Sequence, residues 1–404
     1  MIVVNIVLGF AVLFIIMALG IHIASTMFLA GAGIGLITIG KPILLDFGNQ
    51  MWTVLNNFVM TSVPLFVLLG EMMLRSGVTE KMYNCLSKWL VPLPGGLLHT
   101  NIGASALLAA NSGSSVATAA TIGVVAIPAF KARGYNDRIV LGSIAAGGTL
   151  GILIPPSINM IIYGSIADAS IGRLFAGGFI PGFSLAFLFM VIIAVMAKLN
   201  PSIAGAPEPK TTVLYRLKSL TSLLPILFVI FAIMGSIYAG WATPTEAAAL
   251  GVLAVMIIAA FHGKLKVSFL NDALAATLRT TAMILLIMIA AFYMNYVLSV
   301  LGIPQALSNW FVDLKVSPKA TMWMIVFFYF FLGMFIETIA MMVTTIPLVL
   351  PVVTAAGYDP VWFGVFLMIL CEASLITPPV GMNLYVVQGI RIDKGPLKDV
   401  AIGV

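Results

Sequence analysis

Gly147-Gly148-Thr149-Leu150-Gly151-Ile152-Leu153-Ile154-Pro155-Pro156-Ser157 decides how this chain is read, because it breaks an otherwise apolar segment at a paired proline. Two consecutive prolines remove two backbone donors and end a helix. The same break recurs as Cys371-Glu372-Ala373-Ser374-Leu375-Ile376-Thr377-Pro378-Pro379-Val380-Gly381. Adding 223 carries Pro155-Pro156 onto Pro378-Pro379, Pro128 onto Pro351 and Gly134-Tyr135 onto Gly357-Tyr358. Asn159 and Asn383 follow the paired prolines one place out of register. Unpaired backbone at membrane depth persists only where it is buried in protein or lines a cavity. Two interrupted segments at corresponding places in two halves point to the binding site of a transporter.

The composition around these breaks fixes the solvent. The chain is 61% hydrophobic and 8% charged, with a mean hydropathy of +1.13; a soluble domain carries about 25% charged residues. This is an all-α integral membrane protein, since the alternating pattern of a membrane barrel is absent. No Asp, Glu, Lys or Arg occurs between Met1 and Gly40, room for two spans of about 20 residues turned near Gly20-Ile21-His22. Without a basic region ahead of it, Met1–Leu19 is read as a first span that stays rather than a cleaved signal. Further apolar stretches run near 52–74, 97–128, 139–166, 174–198, 220–241, 244–262, 273–301, 321–356 and 361–390. Several exceed one crossing, so about ten transmembrane helices with re-entrant hairpins are expected rather than eleven equal spans.

The net charge of +6 is spread over short loops, with no basic stripe and no nucleic-acid module. Positive loops recur throughout, so the positive-inside rule gives no orientation. Cys85 and Cys371 lie far apart and His22, His99 and His262 are isolated, a pattern for neither a disulfide nor a metal site.

Gly205-Ala206-Pro207-Glu208-Pro209-Lys210 is the most polar, Pro-rich part of the chain and falls near its midpoint. It reads as a linker, 201–219, between a first structural repeat, 1–200, and a second, 220–404. Each half runs from a span through a Gly and an amphipathic segment to a long apolar stretch, a Gly-Tyr turn and the broken helix. The first half holds a hairpin at about 105–128 and a broken helix at 139–166; the second holds them at about 331–351 and 361–390. Sequence leaves inverted and parallel repeats open, and we expect an odd number of spans per half, and so inversion.

The run Asn111-Ser112-Gly113-Ser114-Ser115-Val116-Ala117-Thr118 is too polar and small for a lipid-facing helix. It reads as the tip of a re-entrant hairpin; the competing reading is a small-residue helix interface. Glu337-Thr338 interrupts the second half at the matching place. Thr243-Pro244-Thr245-Glu246 spells an N-cap, a proline at N1 and a capping-box glutamate, which gives Glu246 a structural role. Glu71, four residues before Arg75, reads as half of a helical ion pair. Glu337 and Glu372 lie within apolar stretches, where acids are functional candidates: they tune an ion site, relay protons, face a water-filled cavity or hydrogen-bond across helices.

The breaks themselves supply the chemistry. Unwound carbonyls and half-helix C-termini carry partial negative charge and suit Na⁺; the facing N-termini offer N–H donors to a carboxylate. Two such constellations predict two cation sites around one organic-anion site.

Asn111-Ser112-Gly113-Ser114-Ser115-Val116-Ala117-Thr118, Gly148-Thr149-Leu150-Gly151-Ile152-Leu153-Ile154-Pro155-Pro156-Ser157, Ala242-Thr243-Pro244-Thr245-Glu246-Ala247-Ala248-Ala249 and Leu375-Ile376-Thr377-Pro378-Pro379-Val380-Gly381-Met382-Asn383 occur in this order. Together they make the chain resemble the large membrane subunit of tripartite ATP-independent periplasmic (TRAP) transporters over nearly its whole length. The resemblance implies a sodium-coupled secondary transporter of carboxylates in the bacterial inner membrane, working as an elevator and without ATP. It implies two partners, a small four-helix membrane subunit, expected here as a separate polypeptide, and a soluble periplasmic substrate-binding protein. By similarity, a first sodium site would use Ser112, Ser114, Gly151, Ile154 and Pro156, and a second Gly333, Ser374, Thr377 and Val380. Substrate would lie near Thr118, Thr345 and Asn383. The family's second hairpin more usually carries Asp where Glu337 stands, so its role does not transfer directly.

Four other readings compete, among them a purely structural membrane scaffold, which would not need two matched helix breaks. A broken-helix carrier of another family would transport without a binding protein. A channel would need a continuous polar pore stripe, and an enzyme some catalytic motif; no HExxH, GxSxG or P-loop is present.

Overall fold

The computed structural model describes residues 15–16, 19–205 and 212–404. The expected span Met1–Leu19, apart from Ile15, Ile16 and Leu19, and the linker centre 206–211 lie outside the described residues. Among the described residues every regular element is helical. We number α1 (Ile23–Thr38), α2 (Ser62–Arg75), α3 (Val78–Leu90), α4 (Leu97–Ser112), α5 (Ser115–Lys131), α6 (Asp137–Thr149), α7 (Ile158–Ala167) and α8 (Ile171–Leu199). There follow α9 (Leu224–Tyr238), α10 (Pro244–Phe261), α11 (Val267–Val300), α12 (Ile303–Asp313), α13 (Pro318–Gly333), α14 (Thr338–Ala355), α15 (Pro360–Ile376), α16 (Met382–Ile390) and α17 (Leu397–Gly403).

Capping chemistry sets where these helices start. Asn136, Ser157, Ser317 and Asp359 place a side-chain oxygen on the first free amides of α6, α7, α13 and α15. Thr243 and Glu246 close the capping box of α10, with Pro244 at N1, and Glu71 pairs with Arg75 one turn on in α2. The caps also repeat at fixed spacing. α5 and α14 begin at Ser115 and Thr338, and α6 and α15 at Asp137 and Pro360, each pair 223 apart.

The long apolar stretches resolve into helix pairs. The stretch expected at 97–128 is α4 and α5, joined by Gly113-Ser114; 321–356 is α13 and α14, joined by Met334–Glu337. α6 and α7 are parted by 150–157, a short 3₁₀ turn followed by the proline pair; α15 and α16 are parted by 377–381. Among the described residues six helical runs are long and apolar enough to cross a membrane, including Ile171–Leu199, Pro244–Phe261 and Val267–Val300; the broken pieces fall short of that length. At 1.5 Å per residue, α11 with its 34 residues extends about 51 Å, well beyond an apolar core of about 30 Å.

The two halves interlock. α16, from the second break, packs on α5 and α6 of the first half, while α7, from the first break, packs on α14 and α15 of the second. Around this body lie α11 against α1, α2 and α14, and α10 against α2 and α9. α17 lies back on α6, closely enough that a Cβ at Gly142 would strike the Gly403 backbone.

Candidate functional site

α4 ends at Ser112 because Gly113 takes left-handed backbone, φ 59°, open to glycine at little cost. Ser114 then caps α5, its Oγ accepting from the Ala117 amide at 3.4 Å. The break between α6 and α7 lies against this apex, where the Ile158 amide donates to the Gly113 carbonyl at 3.2 Å. A Cβ at Gly151 would stand 2.6 Å from the Ser114 carbonyl oxygen, and one at Gly113 would stand 3.0 Å from that of Pro156. Thr118 Oγ1 donates to the Ser114 carbonyl at 2.8 Å and lies 2.8 Å from Ser112 Oγ. Ser112, Ser114, Gly151 and Pro156 therefore converge, with Thr118 among them. Ile154 belongs to the same break, its amide on the Leu150 carbonyl at 2.9 Å and its back against Gly182 of α8. The donor set is carbonyl and hydroxyl oxygen, which suits a hard cation.

At the second break a Cβ on Gly333 would fall on the Ser374 hydroxyl. The Val380 amide donates to the Met334 carbonyl at 3.0 Å, joining break to apex as Ile158 joins Gly113. Gly333, Ser374 and Val380 line a small cavity together with Glu337 and Thr338. Thr377 caps the end of α15, its hydroxyl donating to the Ala373 carbonyl at 2.6 Å. Glu337 is the N-cap of α14, where the first half uses Ser114. Its Oε2 accepts from the Ala340 amide and its Oε1 from the Thr338 hydroxyl, both at 3.0 Å. A negative charge is favoured at a helix N-terminus, so this acid has a structural reason to stand in the cavity wall. Glu372 differs: it is 3% exposed and neither carboxylate oxygen has a hydrogen-bond partner. The breaks also differ in exposure, since Pro155 and Pro156 are buried and Pro378 and Pro379 are exposed.

Two oxygen-lined breaks facing two hairpin apices are the architecture of a secondary transporter, and the sequence says which. Residues 10–403 match the family described as tripartite ATP-independent periplasmic transporter, DctM component. The chain belongs to the DctM family. It is thus the large permease component of a TRAP transporter, a bacterial inner-membrane protein and not an enzyme. It is 33% identical over 343 residues to the sialic acid TRAP transporter large permease protein SiaM of Vibrio cholerae, covering 85% of this chain and 80% of that one. With the C4-dicarboxylate TRAP transporter large permease protein DctM of Pseudomonas aeruginosa it shares 32% over 335 residues, 83% and 78% of the two chains. With the sialic acid TRAP transporter permease protein SiaT of Haemophilus influenzae it shares 32% over 391 residues, 93% of this chain and 61% of the other. Among solved structures, the YdaH transporter of Alcanivorax borkumensis superposes with a TM-score of 0.56 at 15% identity, covering 91% of this chain and 85% of that one. That likeness is one of fold.

In this DctM-family chain the residues expected near substrate have three separate sets of partners. Thr118 belongs to the first apex. The Thr345 hydroxyl lies 2.7 Å from that of Tyr329, inside the second hairpin, and donates to the Met341 carbonyl at 2.7 Å. Asn383 Nδ2 donates to the Ala145 carbonyl of α6 at 3.1 Å, and its Oδ1 has no hydrogen-bond partner. Further polar side chains bind the breaks together, though sequence alone assigns none of them a binding role. Ser115 Oγ donates to the Thr149 carbonyl at 3.0 Å, Ser157 Oγ to that of Ile152 at 2.7 Å, and Asn159 Nδ2 to Thr338 Oγ1 at 3.4 Å. Each stands at or just inside a helix start, where small polar residues usually signify only a cap.

Proposed function

We propose that this DctM-family chain carries out sodium-coupled uptake of a carboxylate organic anion such as sialic acid or a C4-dicarboxylate. A soluble periplasmic binding protein delivers the substrate, and a small four-helix membrane subunit completes the permease. The observation that carries this reading is that each hairpin apex is hydrogen-bonded to the adjoining helix break, Ile158 to Gly113 and Val380 to Met334. Na⁺ would be held by Ser112, Ser114, Gly151, Ile154 and Pro156 at the first break and by Gly333, Ser374, Thr377 and Val380 at the second. The N-termini of α5, α7, α14 and α16 offer partial positive charge to the carboxylate, with Thr118, Thr345 and Asn383 the side chains nearest to hand. The names of the relatives supply the substrate classes.

Two sodium ions suffice energetically. A tenfold Na⁺ gradient gives about 1.4 kcal/mol per ion and 100 mV about 2.3 kcal/mol per charge. For a monocarboxylate, whose own charge opposes the potential, about 5 kcal/mol is left, enough for accumulation of roughly five-thousandfold.

The test is uptake in proteoliposomes holding the chain and its small subunit, with a panel of carboxylates, each with its binding protein. Uptake that needs both an inward Na⁺ gradient and the binding protein supports the reading and names the substrate. Robust uptake without the binding protein points to an autonomous carrier, and Na⁺-independent uptake removes the sodium sites.

A further inference from the structure

We infer that Asn159 and Thr338 couple the two cation sites, so that filling one raises the affinity of the other. The inference rests on the sodium reading above. It begins from a side-chain contact between the halves: Asn159 Nδ2 on α7 donates to Thr338 Oγ1 on α14 at 3.4 Å, and that hydroxyl donates to Glu337 Oε1 at 3.0 Å. Asn159 and Thr338 are 4% and 5% exposed, so water does not compete for these bonds. Each end of the chain is anchored in a different site. Glu337 and Thr338 line the cavity beside Gly333 and Ser374. Asn159 follows Ile158, whose amide holds the Gly113 carbonyl at the first apex.

The coupling follows from what each bond requires. A cation entering the second cavity draws on the Glu337 carboxylate, and the Thr338 hydroxyl keeps its bond by following it. Asn159 can hold that hydroxyl only while the start of α7 stays in place. That placement also keeps Ile158 on Gly113 and so sets the Ser112–Ser114 turn around the first ion. Linkage makes the effect reciprocal, and couplings of this kind are commonly about 5- to 150-fold in affinity. A second tie runs the other way, from Asn383 on α16 to the Ala145 carbonyl on α6, so neither half moves alone. Asn159 and Thr338 act here as positioning residues: they hold the sites in register without being ligands.

The experiment is a Na⁺ titration of the purified chain in detergent, with choline as the replacing cation, read as the rise in thermal midpoint. Wild type should respond steeply, with a Hill coefficient above about 1.5 for two coupled sites. Thr338→Val, which keeps shape but loses the hydroxyl, and Asn159→Leu should each bring the coefficient to about 1 and raise half-saturation at least about fivefold. The double variant should be no worse than either single, and Thr338→Ser should keep the wild-type steepness. If Thr338→Val does not fold, Asn159→Leu carries the same test. Wild-type steepness in both single variants, or additive losses in the double, overturns the coupling while leaving the sodium sites intact. A wild-type midpoint that ignores Na⁺ overturns the sodium reading, and the coupling with it.

Discussion

Gly151 lies in the first break and Gly333 ends α13 beside the second, and their substitution by alanine should be read out differently. At Gly151 the new Cβ meets the Ser114 backbone at 2.6 Å, and backbone at a hairpin apex cannot step aside. At Gly333 it meets the Ser374 hydroxyl and, at 2.5 Å, the Ser374 Cβ, which rotating the side chain does not move. Gly151→Ala should therefore cost the overpacking penalty of about 1–3 kcal/mol and lower the thermal midpoint. Gly333→Ala should cost a similar amount and lose its response to Na⁺ as well, because Ser374 is displaced from the proposed site. A full Na⁺ response in Gly333→Ala would remove Ser374 from that site. Glu372 makes a second residue-scale case, since a buried acid with no hydrogen-bond partner is costly at membrane depth and an amide of the same shape is less so. In Na⁺-free detergent, Glu372→Gln should raise the midpoint; a fall would mean that the carboxylate is held by a partner in the working protein.

The element scale shows what was legible in the sequence. The paired prolines, the small polar turn at Asn111–Ser115 and the caps at Thr243 and Glu246 each speak through local backbone chemistry, and the helices begin and end where that chemistry puts them. The second apex was harder to read: Met334–Glu337 has no glycine, and only its polar end marks it. The apolar stretch near 273–301 marks the bilayer part of α11, whose helix begins earlier at Val267, because hydropathy reports the bilayer rather than the helix, and Asn271 and Asp272 are exposed. The crossing of α7 onto α14 and of α16 onto α5 was invisible, since it is fixed by contacts between segments about two hundred residues apart. That crossing leaves the breaks unequal, with the first proline pair buried and the second exposed. In a background lacking Cys85 and Cys371, Pro379→Cys should react readily with a maleimide and Pro156→Cys should not; equal reactivity would deny the asymmetry. The end of α16 is fixed by charge instead. Arg391 holds Asp393 and Asp399, and the guanidinium's hydrogen bonds keep the Asp393 carboxyl below the usual range. A depressed acid stabilises above the ordinary aspartate value, about 3.9, and the gain is lost as pH falls through the lower folded value. Amide exchange across 391–396, corrected for its intrinsic pH dependence, should accordingly stay slow at pH 5 and quicken only below about pH 4.

For the whole molecule the question is whether the body formed by α4–α7 and α13–α16 can shift against the helices around it. Described polar contacts across that boundary include Asn295 Nδ2 of α11 on the Val343 carbonyl of α14 at 2.7 Å, and Asn57 Nδ2 on Ser165 Oγ of α7 at 3.2 Å. Interhelical hydrogen bonds within a bilayer average about 0.6 kcal/mol and reach about 1.7 kcal/mol. With the Tyr83 hydroxyl of α3 on Asn101 Oδ1 of α4 at 2.9 Å, three such bonds cost roughly 2 kcal/mol to break, against the approximately 5 kcal/mol net that two sodium ions would leave with a monocarboxylate. The exposed Arg173–Asp359 pair at 3.8 Å adds little, and much of the rest is van der Waals packing of apolar side chains, which a shifted register can replace. A boundary held this weakly fits an elevator, the motion the family resemblance implies, in which the hydrogen-bonded breaks would travel together. Tying the boundary shut tests this. With Cys85 and Cys371 replaced, Asn295→Cys with Val343→Cys joins α11 to α14. Oxidation should bring uptake in proteoliposomes to background, reduction should restore it, and the Na⁺-dependent rise in thermal midpoint should persist throughout because both proposed ion sites lie inside that body. Full uptake by a fully cross-linked chain would exclude displacement of the body along α11 and confine the motion to the hairpin tips.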